Sequence, residues 1–354
     1  MAASGDIRDL ASAGPLFMVG LPGPRVDEAA RKLVRELRVG GVILFARNLE
    51  GPEQVWELTR DLQQEALAAG DLPLLIAVDQ EGGAVQRLKE PFTRIPAARD
   101  LGAFSTPAEV AALSRTVARE LALVGINLNL APVLDVARQP ACPQWGRSYG
   151  SEPERVAAFG EAAIRGFLTG GVLPAAKHFP GLGDTTVDSH QVLPSAQDPD
   201  PERTTDLLPF RRAVASGVPV IMTAHLKVPA WDGQTATMSP VALKDWLRRL
   251  LGFEGVIITD DLEMGAIAGA AAVPEAACRA LAAGADLLLI CSPGEAAWEA
   301  AALLSRDQAL HQSGADSKRR LKRLREKVLR KPADLEEVKA YFGGQGGGIN
   351  SPKK

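Results

Sequence analysis

Short apolar runs rich in β-branched residues recur along the chain, separated by longer stretches whose apolar positions follow helical spacing. Eight such runs stand out, at 16–20, 41–45, 74–78, 126–130, 173–176, 218–222, 256–259 and 286–290. Most are continuous hydrophobics rather than alternating ones, as strands covered on both faces of a parallel sheet should be. Helices are expected between them over 26–39, 107–124, 153–168 and 240–251. Ser239-Pro240 and the Ser151–Glu154 segment carry the capping serine with an early proline or glutamate that marks a helix start. Eight strands alternating with helices predict an α/β chain folded as a single-domain (β/α)8 TIM barrel, a doubly wound sheet being the less fitting alternative because it usually has fewer strands. The barrel domain is expected over 1–335, with a basic solvated helix over 313–331. A Gly-rich disordered tail is expected over 336–354.

Composition narrows the class. Of the 354 residues 46% are hydrophobic, enough for a sizeable core, and the formal net charge of −3 argues against a nucleic-acid binder. No apolar run approaches the roughly 20 residues of a membrane span, and residues 1–14 lack the basic start and apolar core of a secretory signal. The three cysteines, Cys142, Cys278 and Cys291, form no CxxC pair, which fits a reducing compartment and a cytoplasmic location. A monomer is the default expectation.

In such barrels the chemistry sits past the C-terminal ends of the strands. Immediately after the second run stand Arg47 and Asn48, after the third Asp79 and Glu81, and after the fourth Asp135, with Arg147 farther on. Lys177 and His178 come after the fifth, His225 after the sixth, Asp260-Asp261 after the seventh and Cys291-Ser292 after the eighth. A lone acidic residue there is usually a helix cap; polar groups at seven strand ends together point to a concave polar site. The loop 177–190, with Gly181, Gly183 and Pro180, reads as a mobile flap over the barrel mouth, ending in Asp188-Ser189-His190. A carboxylate beside an imidazole favours the charged ring, a suitable general acid near neutral pH. On spacing alone the same three residues also fit a surface turn. Asp260, on the end of a buried strand, is the better nucleophile candidate, and Asp261 the better helix cap.

Six of these segments match a known family. GVILFARN (41–48), AVDQEGGAVQRL (77–88), NLNLAPVLDV (127–136), KHFPGLGDTTVDSH (177–190), IMTAH (221–225) and GVIITDDLEMGAI (255–267) resemble glycoside hydrolase family 3, specifically its single-domain bacterial β-N-acetylglucosaminidases of cell-wall recycling. The resemblance implies that Asp260 forms a covalent glycosyl-enzyme intermediate and that Asp188 and His190 act as acid/base pair. It also implies that Asp79, Arg87, Arg147, Lys177 and His178 hold the terminal N-acetylglucosamine. Double displacement with retention, without metal or organic cofactor, would result, the reacting groups lying about 5–5.5 Å apart when the flap is closed. Family members acting on plain glucosides usually draw their acid from a second domain, for which this chain leaves no room; hence the N-acetylated substrate, a small saccharide or muropeptide. One departure is Leu182, where the family commonly has histidine; on a mobile flap it would alter how the leaving group packs. Three rivals remain open at this level: a phosphorylase on the same barrel, a metal-dependent hydrolase using the histidines, and a non-catalytic saccharide-binding barrel.

Overall fold

A computed structural model describes residues 7–189, 191–196, 203–269, 271–328 and 333–344. Among them the eight apolar runs all form parallel strands: β1 (Phe17–Gly20), β2 (Gly41–Leu44), β3 (Leu75–Val78), β4 (Leu128–Asn129), β5 (Leu173–Phe179), β6 (Val220–Thr223), β7 (Val256–Ile258) and β8 (Leu288–Ile290). Each strand pairs with the next, as in Met18↔Gly41, Val42↔Ile76 and Ile221↔Ile257. The circle closes because β1 pairs β8 (Phe17↔Leu288) and β7 meets it through the parallel Ile258↔Leu287 bridge. Backbone hydrogen bonds Thr259 N–H to Leu287 O (3.0 Å) and Asp286 N–H to Ile257 O (2.8 Å) complete that seam. The chain is a (β/α)8 barrel, as its hydrophobic rhythm predicts.

β4 is two residues long for a local reason. Asn127 and Asn129 use side-chain amides where main chain would otherwise pair. Asn127 accepts from Ile76 N–H (2.8 Å) and donates to Leu74 O (2.9 Å), while Asn129 accepts from Gln80 N–H and donates to Gln80 O, both at 3.0 Å. The β3–β4 seam is therefore stitched by two asparagines in the NLNL run.

The outer helices obey their sequence signals. Helix Pro107–Leu123 opens on a reciprocal Thr106/Glu109 capping box and buries Val110, Val117, Ala118 and Leu121 on one stripe. It packs on helix Pro153–Gly170, where a Cβ on Gly166 would lie 2.4 Å from Ala111 O, so only glycine allows that approach. Ser239 caps as expected, accepting from Ala242 N–H at 3.0 Å. Ser151 does not: the helix is entered at Glu152, with no side-chain cap bond. The 26–39 segment is an α-helix over Glu28–Lys32 that widens into a π turn over Leu33–Leu37 and stops at Arg38, whose φ is 59°.

Two expectations about the C-terminal region are corrected. The basic helix Gln308–Lys327 is not merely a solvated face. It buries Leu321 and Leu324 and sinks Arg325 (2% exposed) against the barrel base, where Nε donates to Pro73 O at 2.8 Å. Residues 335–343, mostly expected to be tail, form the helix Leu335–Gly343, capped by Asp334. Val338 and Phe342 enter the core, and the Phe342 ring lies 4.6 Å from that of Phe92. The apolar spacing of Leu335, Val338 and Phe342 is masked by the Gly-rich stretch after it; residues 345–354 of the expected tail lie outside the described residues. No described helix is long and apolar enough to cross a membrane.

Candidate active site

At the C-terminal ends of the strands lies a cavity of about 260 Å³, walled by Asp79, Glu81, Arg87, Arg147, Lys177, His178 and Asp260 among others. A larger groove of about 1020 Å³ opens at the opposite end, beside Trp56, Asn127 and Tyr341. The smaller cavity is the one in which charged side chains from several strand ends converge, the arrangement expected of a barrel enzyme's site.

Its charged wall is assembled from β3 and the hairpin after it. Residues Gln80–Gly82 and Val85–Gln86 pair antiparallel around Gly82 (φ 112°) and Gly83 (φ 56°), conformations that favour glycine. Gln80 fastens the returning strand: its Oε1 accepts from Arg87 N–H and Leu88 N–H, both at 3.0 Å. The DQEGGAVQR run thereby folds Arg87 back toward Asp79, with Nη2 and Oδ2 3.7 Å apart. Lys177, 3% exposed, reaches across from β5 to Asp79 Oδ1 at 2.8 Å and Glu81 Oε1 at 2.6 Å. Arg147 donates two bonds to Glu81, from Nε at 2.8 Å and Nη2 at 2.7 Å. Burial opposes ionisation of Glu81, but Lys177 and Arg147 outweigh it and hold its carboxyl well below the usual range. Burial likewise works against the Lys177 charge, and Asp79 and Glu81 reverse the balance, raising it above its ordinary value.

Sequence reasoning gives Glu81 no role at the site, although it stands among the strand-end groups. A signal exists: Asp79 and Glu81 are two apart on extended chain, so both address the same face. Phe45 is missed as well. It lines the cavity, and the guanidinium carbons of Arg47 and Arg87 lie 4.8 and 5.8 Å from its ring centre.

Asp135, placed by the sequence among the strand-end groups of the site, does not line the cavity. It is fully buried and spends its carboxylate inside the protein: Oδ2 meets His178 Nδ1 at 2.7 Å, and Oδ1 accepts from Leu182 N–H at 2.8 Å and His178 N–H at 3.3 Å. Pairing Nδ1 with a carboxylate fixes the tautomer and leaves Nε2 of His178 for the cavity it lines.

The flap is likewise less mobile at its base than its glycines suggest. Residues 177–185 are buried throughout, and Gly183 lies so close to the loop after β4 that a Cβ would sit 1.8 Å from Val136 O. Leu182, expected to face the leaving group, is 2% exposed and packs with Ala224, Leu226 and Val228. It is an anchor of the flap. Beyond Thr185 the chain surfaces at Thr186 and Val187, and Ser189 returns to line the cavity. Asp188 is half-buried, with its carbonyl accepting from Gln191 and Val192 N–H at 3.0 and 3.1 Å. His190 lies outside the described residues.

Asp260 comes directly after β7 and is half-buried at the cavity, its Oδ1 accepting from Asp261 N–H at 2.9 Å. Burial disfavours its charge, but His178, His225, the Asp261 N–H and Lys177 together hold its carboxyl below the ordinary value. An ionised carboxylate fixed on a strand end is what nucleophilic attack on a carbon centre requires. His225, fully buried, does not line the cavity; its Nε2 meets Asp261 O at 2.8 Å and Nδ1 meets Thr237 Oγ1 at 2.9 Å, steadying the 260–261 backbone. Cys291 also lines the cavity, but burial pushes its thiol far up, so it stays protonated and unreactive.

Asp261 caps less than expected; its Oδ1 accepts from Glu263 N–H (3.1 Å) and Cys291 N–H (3.2 Å). Burial, then the neighbouring Glu263 charge, push it up to about 6. Because the folded value lies above the unfolded one of about 3.9, wild-type stability is lost as pH rises across that window. Asp261→Asn keeps both accepted bonds without the charge. It should therefore raise the melting temperature more at pH 8 than at pH 5 in thermal scans; an equal change at both would contradict this.

Comparison with known proteins adds to this geometry. Residues 10–330 match the glycosyl hydrolase family 3 N-terminal domain. A β-hexosaminidase of Alkalilimnicola ehrlichii is 42% identical over 292 residues, covering 80% of this chain and 82% of that protein. One of Chromobacterium violaceum is 41% identical, covering 80% of each. Among solved structures, a family 3 β-N-acetylglucosaminidase from Paenibacillus sp. superposes with a TM-score of 0.87 at 36% identity, over 95% of this chain and 68% of that one. NagZ from Neisseria gonorrhoeae gives 0.76 at 31% identity, over 94% and 98%. A barrel with this match over nearly its whole length, and with strand-end residues in the family's motifs, belongs to glycoside hydrolase family 3.

Proposed function

We propose that this protein is a β-N-acetylhexosaminidase that removes terminal β-linked N-acetylglucosamine with retention of configuration. The observation that carries the reading is Asp260: a carboxylate on a rigid strand end, held below its ordinary value by His178, His225, the Asp261 N–H and Lys177, facing a cavity sized for one sugar ring. Asp260 attacks the anomeric carbon, and the flap acid, His190 oriented by Asp188, protonates the departing oxygen. The same pair then activates water to release the sugar from Asp260. Asp79, Arg87, Arg147, Lys177 and Nε2 of His178 hold the hydroxyls. The position of Ser189 at the cavity supports a flap that delivers its neighbours to the reacting bond. Relatives named β-hexosaminidase and β-N-acetylglucosaminidase support the substrate class. The natural substrate in this reading is a small wall-derived saccharide or muropeptide, and the reaction needs no cofactor.

A turnover screen of aryl β-glycosides differing only in the 2-substituent tests it. The acetamido sugar should be preferred over the hydroxyl sugar by about 10²-fold or more in kcat/KM, the scale of discrimination a hydrogen-bonding pocket achieves. Comparable rates would refute the substrate class, and sugar 1-phosphate as main product with added phosphate would refute hydrolysis.

A further inference from the structure

Among the described residues, one buried acceptor in the cavity wall has no partner. Gln144 is 4% exposed and lines the cavity, and its Oε1 is buried without a hydrogen bond. An unpaired buried amide oxygen destabilises a fold, and native structures rarely retain one unless something else completes it. The backbone around it is tied down. Gln144 O accepts from Arg147 N–H at 3.0 Å and Ser148 N–H at 2.9 Å, and Ser148 Oγ donates to Asp135 O at 2.6 Å. On the next residue, the Arg99 guanidinium lies 3.4 Å from the Trp145 ring centre.

The carboxylates of the neighbouring wall are bound to cations, Asp79 keeping a lone pair for a sugar hydroxyl. Glu81 is occupied by Arg147 and Lys177, and Asp79 by Lys177 with Arg87 nearby. Arginine and lysine only donate. A sugar entering this cavity brings donors, the acetamide N–H and ring hydroxyls, and turning the Gln144 amide toward the cavity it lines presents its uncharged oxygen, closed off at rest, to one of them. We propose that Gln144 is a specificity-determining residue whose side-chain amide accepts a hydrogen bond from a donor of the terminal sugar. The inference rests on the saccharide reading of the same cavity.

Gln144→Met, which matches the length and removes the polar atoms, separates this role from a structural one. The free variant should melt at the wild-type temperature or about 1–3 °C above it, since the unpaired oxygen is gone. Its kcat/KM on the aryl N-acetylglucosaminide should fall about 5- to 30-fold, mainly through KM, the value of one hydrogen bond to a ligand. Loss confined to the 2-acetamido substrate assigns the bond to the amide N–H; equal loss on the 2-hydroxyl substrate assigns it to a ring hydroxyl. Gln144→Asn, which withdraws the amide by one carbon, should show the same loss if the methionine variant fails to fold. Unchanged kinetics on both substrates, or a lowered melting temperature with unchanged kinetics, would overturn the proposal. Should wild type turn over neither substrate, the hydrolase reading fails by itself. The proposal is then judged by N-acetylglucosamine's effect on melting: a larger rise for wild type than for the variant supports it, and equal rises overturn it.

Discussion

Replacing Asp260 with alanine is expected to lower kcat on an aryl β-N-acetylglucosaminide by roughly 10⁴-fold or more, the scale seen when a member of a covalent catalytic unit is removed. The loss should be in turnover rather than binding. Asp260 is one carboxylate at the end of β7, whereas the groups proposed to hold the hydroxyls stand after β3 and its hairpin, on β5 and on the loop carrying Arg147. N-acetylglucosamine affinity, read by calorimetry, should stay within about tenfold of wild type, an interaction difference of about 1.4 kcal/mol. A small external nucleophile such as azide should restore part of the turnover with activated leaving groups and give a product of inverted configuration, because the cavity then admits attack at the vacated position. Unchanged turnover would remove Asp260 from the mechanism.

Glu81→Ala should damage both the fold and the chemistry. Glu81 lies between Lys177 (2.6 Å) and Arg147, with a side chain only 6% exposed, and removing it strips Arg147 of its carboxylate and leaves Lys177 with Asp79 alone in a buried wall. Breaking a buried pair by deleting one partner costs about 3–5 kcal/mol. That loss should appear as a shift of the urea unfolding midpoint at pH 7 with unchanged slope. Since the Glu81 carboxyl is held below its usual range, its contribution is present above the unfolded value of about 4.3. It is lost only as pH falls through the lower folded value, so the gap between wild type and variant should persist through mildly acid conditions. The kinetic signature should be a fall of about 10²-fold in kcat/KM, because Lys177 and Arg147 lose the fixed geometry on which positioning depends. Glu81→Gln, which keeps an acceptor, should recover part of both. A variant within about 1 kcal/mol of wild type, far below the cost of breaking a buried pair, would mean that the carboxylate does not organise the cavity's cations.

Much of this architecture is legible in the sequence. Barrel strands buried on both faces are largely apolar, so all eight announce themselves, and the polar residues after most of the runs mark the functional end. What stays hidden is how polar groups divide between ligand and scaffold. Asp135 and Asp79 read alike, each an aspartate after a strand, yet Asp135 is consumed by His178 and Leu182 while Asp79 stands at the cavity. Nothing local to Leu182 shows that it enters a small apolar cluster with Ala224, Leu226 and Val228, because those partners lie about forty residues on. The helix Leu335–Gly343 is obscured for the opposite reason: its apolar stripe is short, and the glycines after it dominate the composition. Gln144 carries no signal in any motif; only its unpaired, buried oxygen singles it out.

The identity of the attacking group decides the mechanism. Incubation with a slow fluorinated glycosyl substrate, then proteolysis and mass spectrometry, should find the sugar esterified to the peptide containing Asp260, with the label absent from Asp260→Ala. A label on Asp261, Asp79 or any other side chain, or steady release of sugar with no covalent species at all, would contradict it.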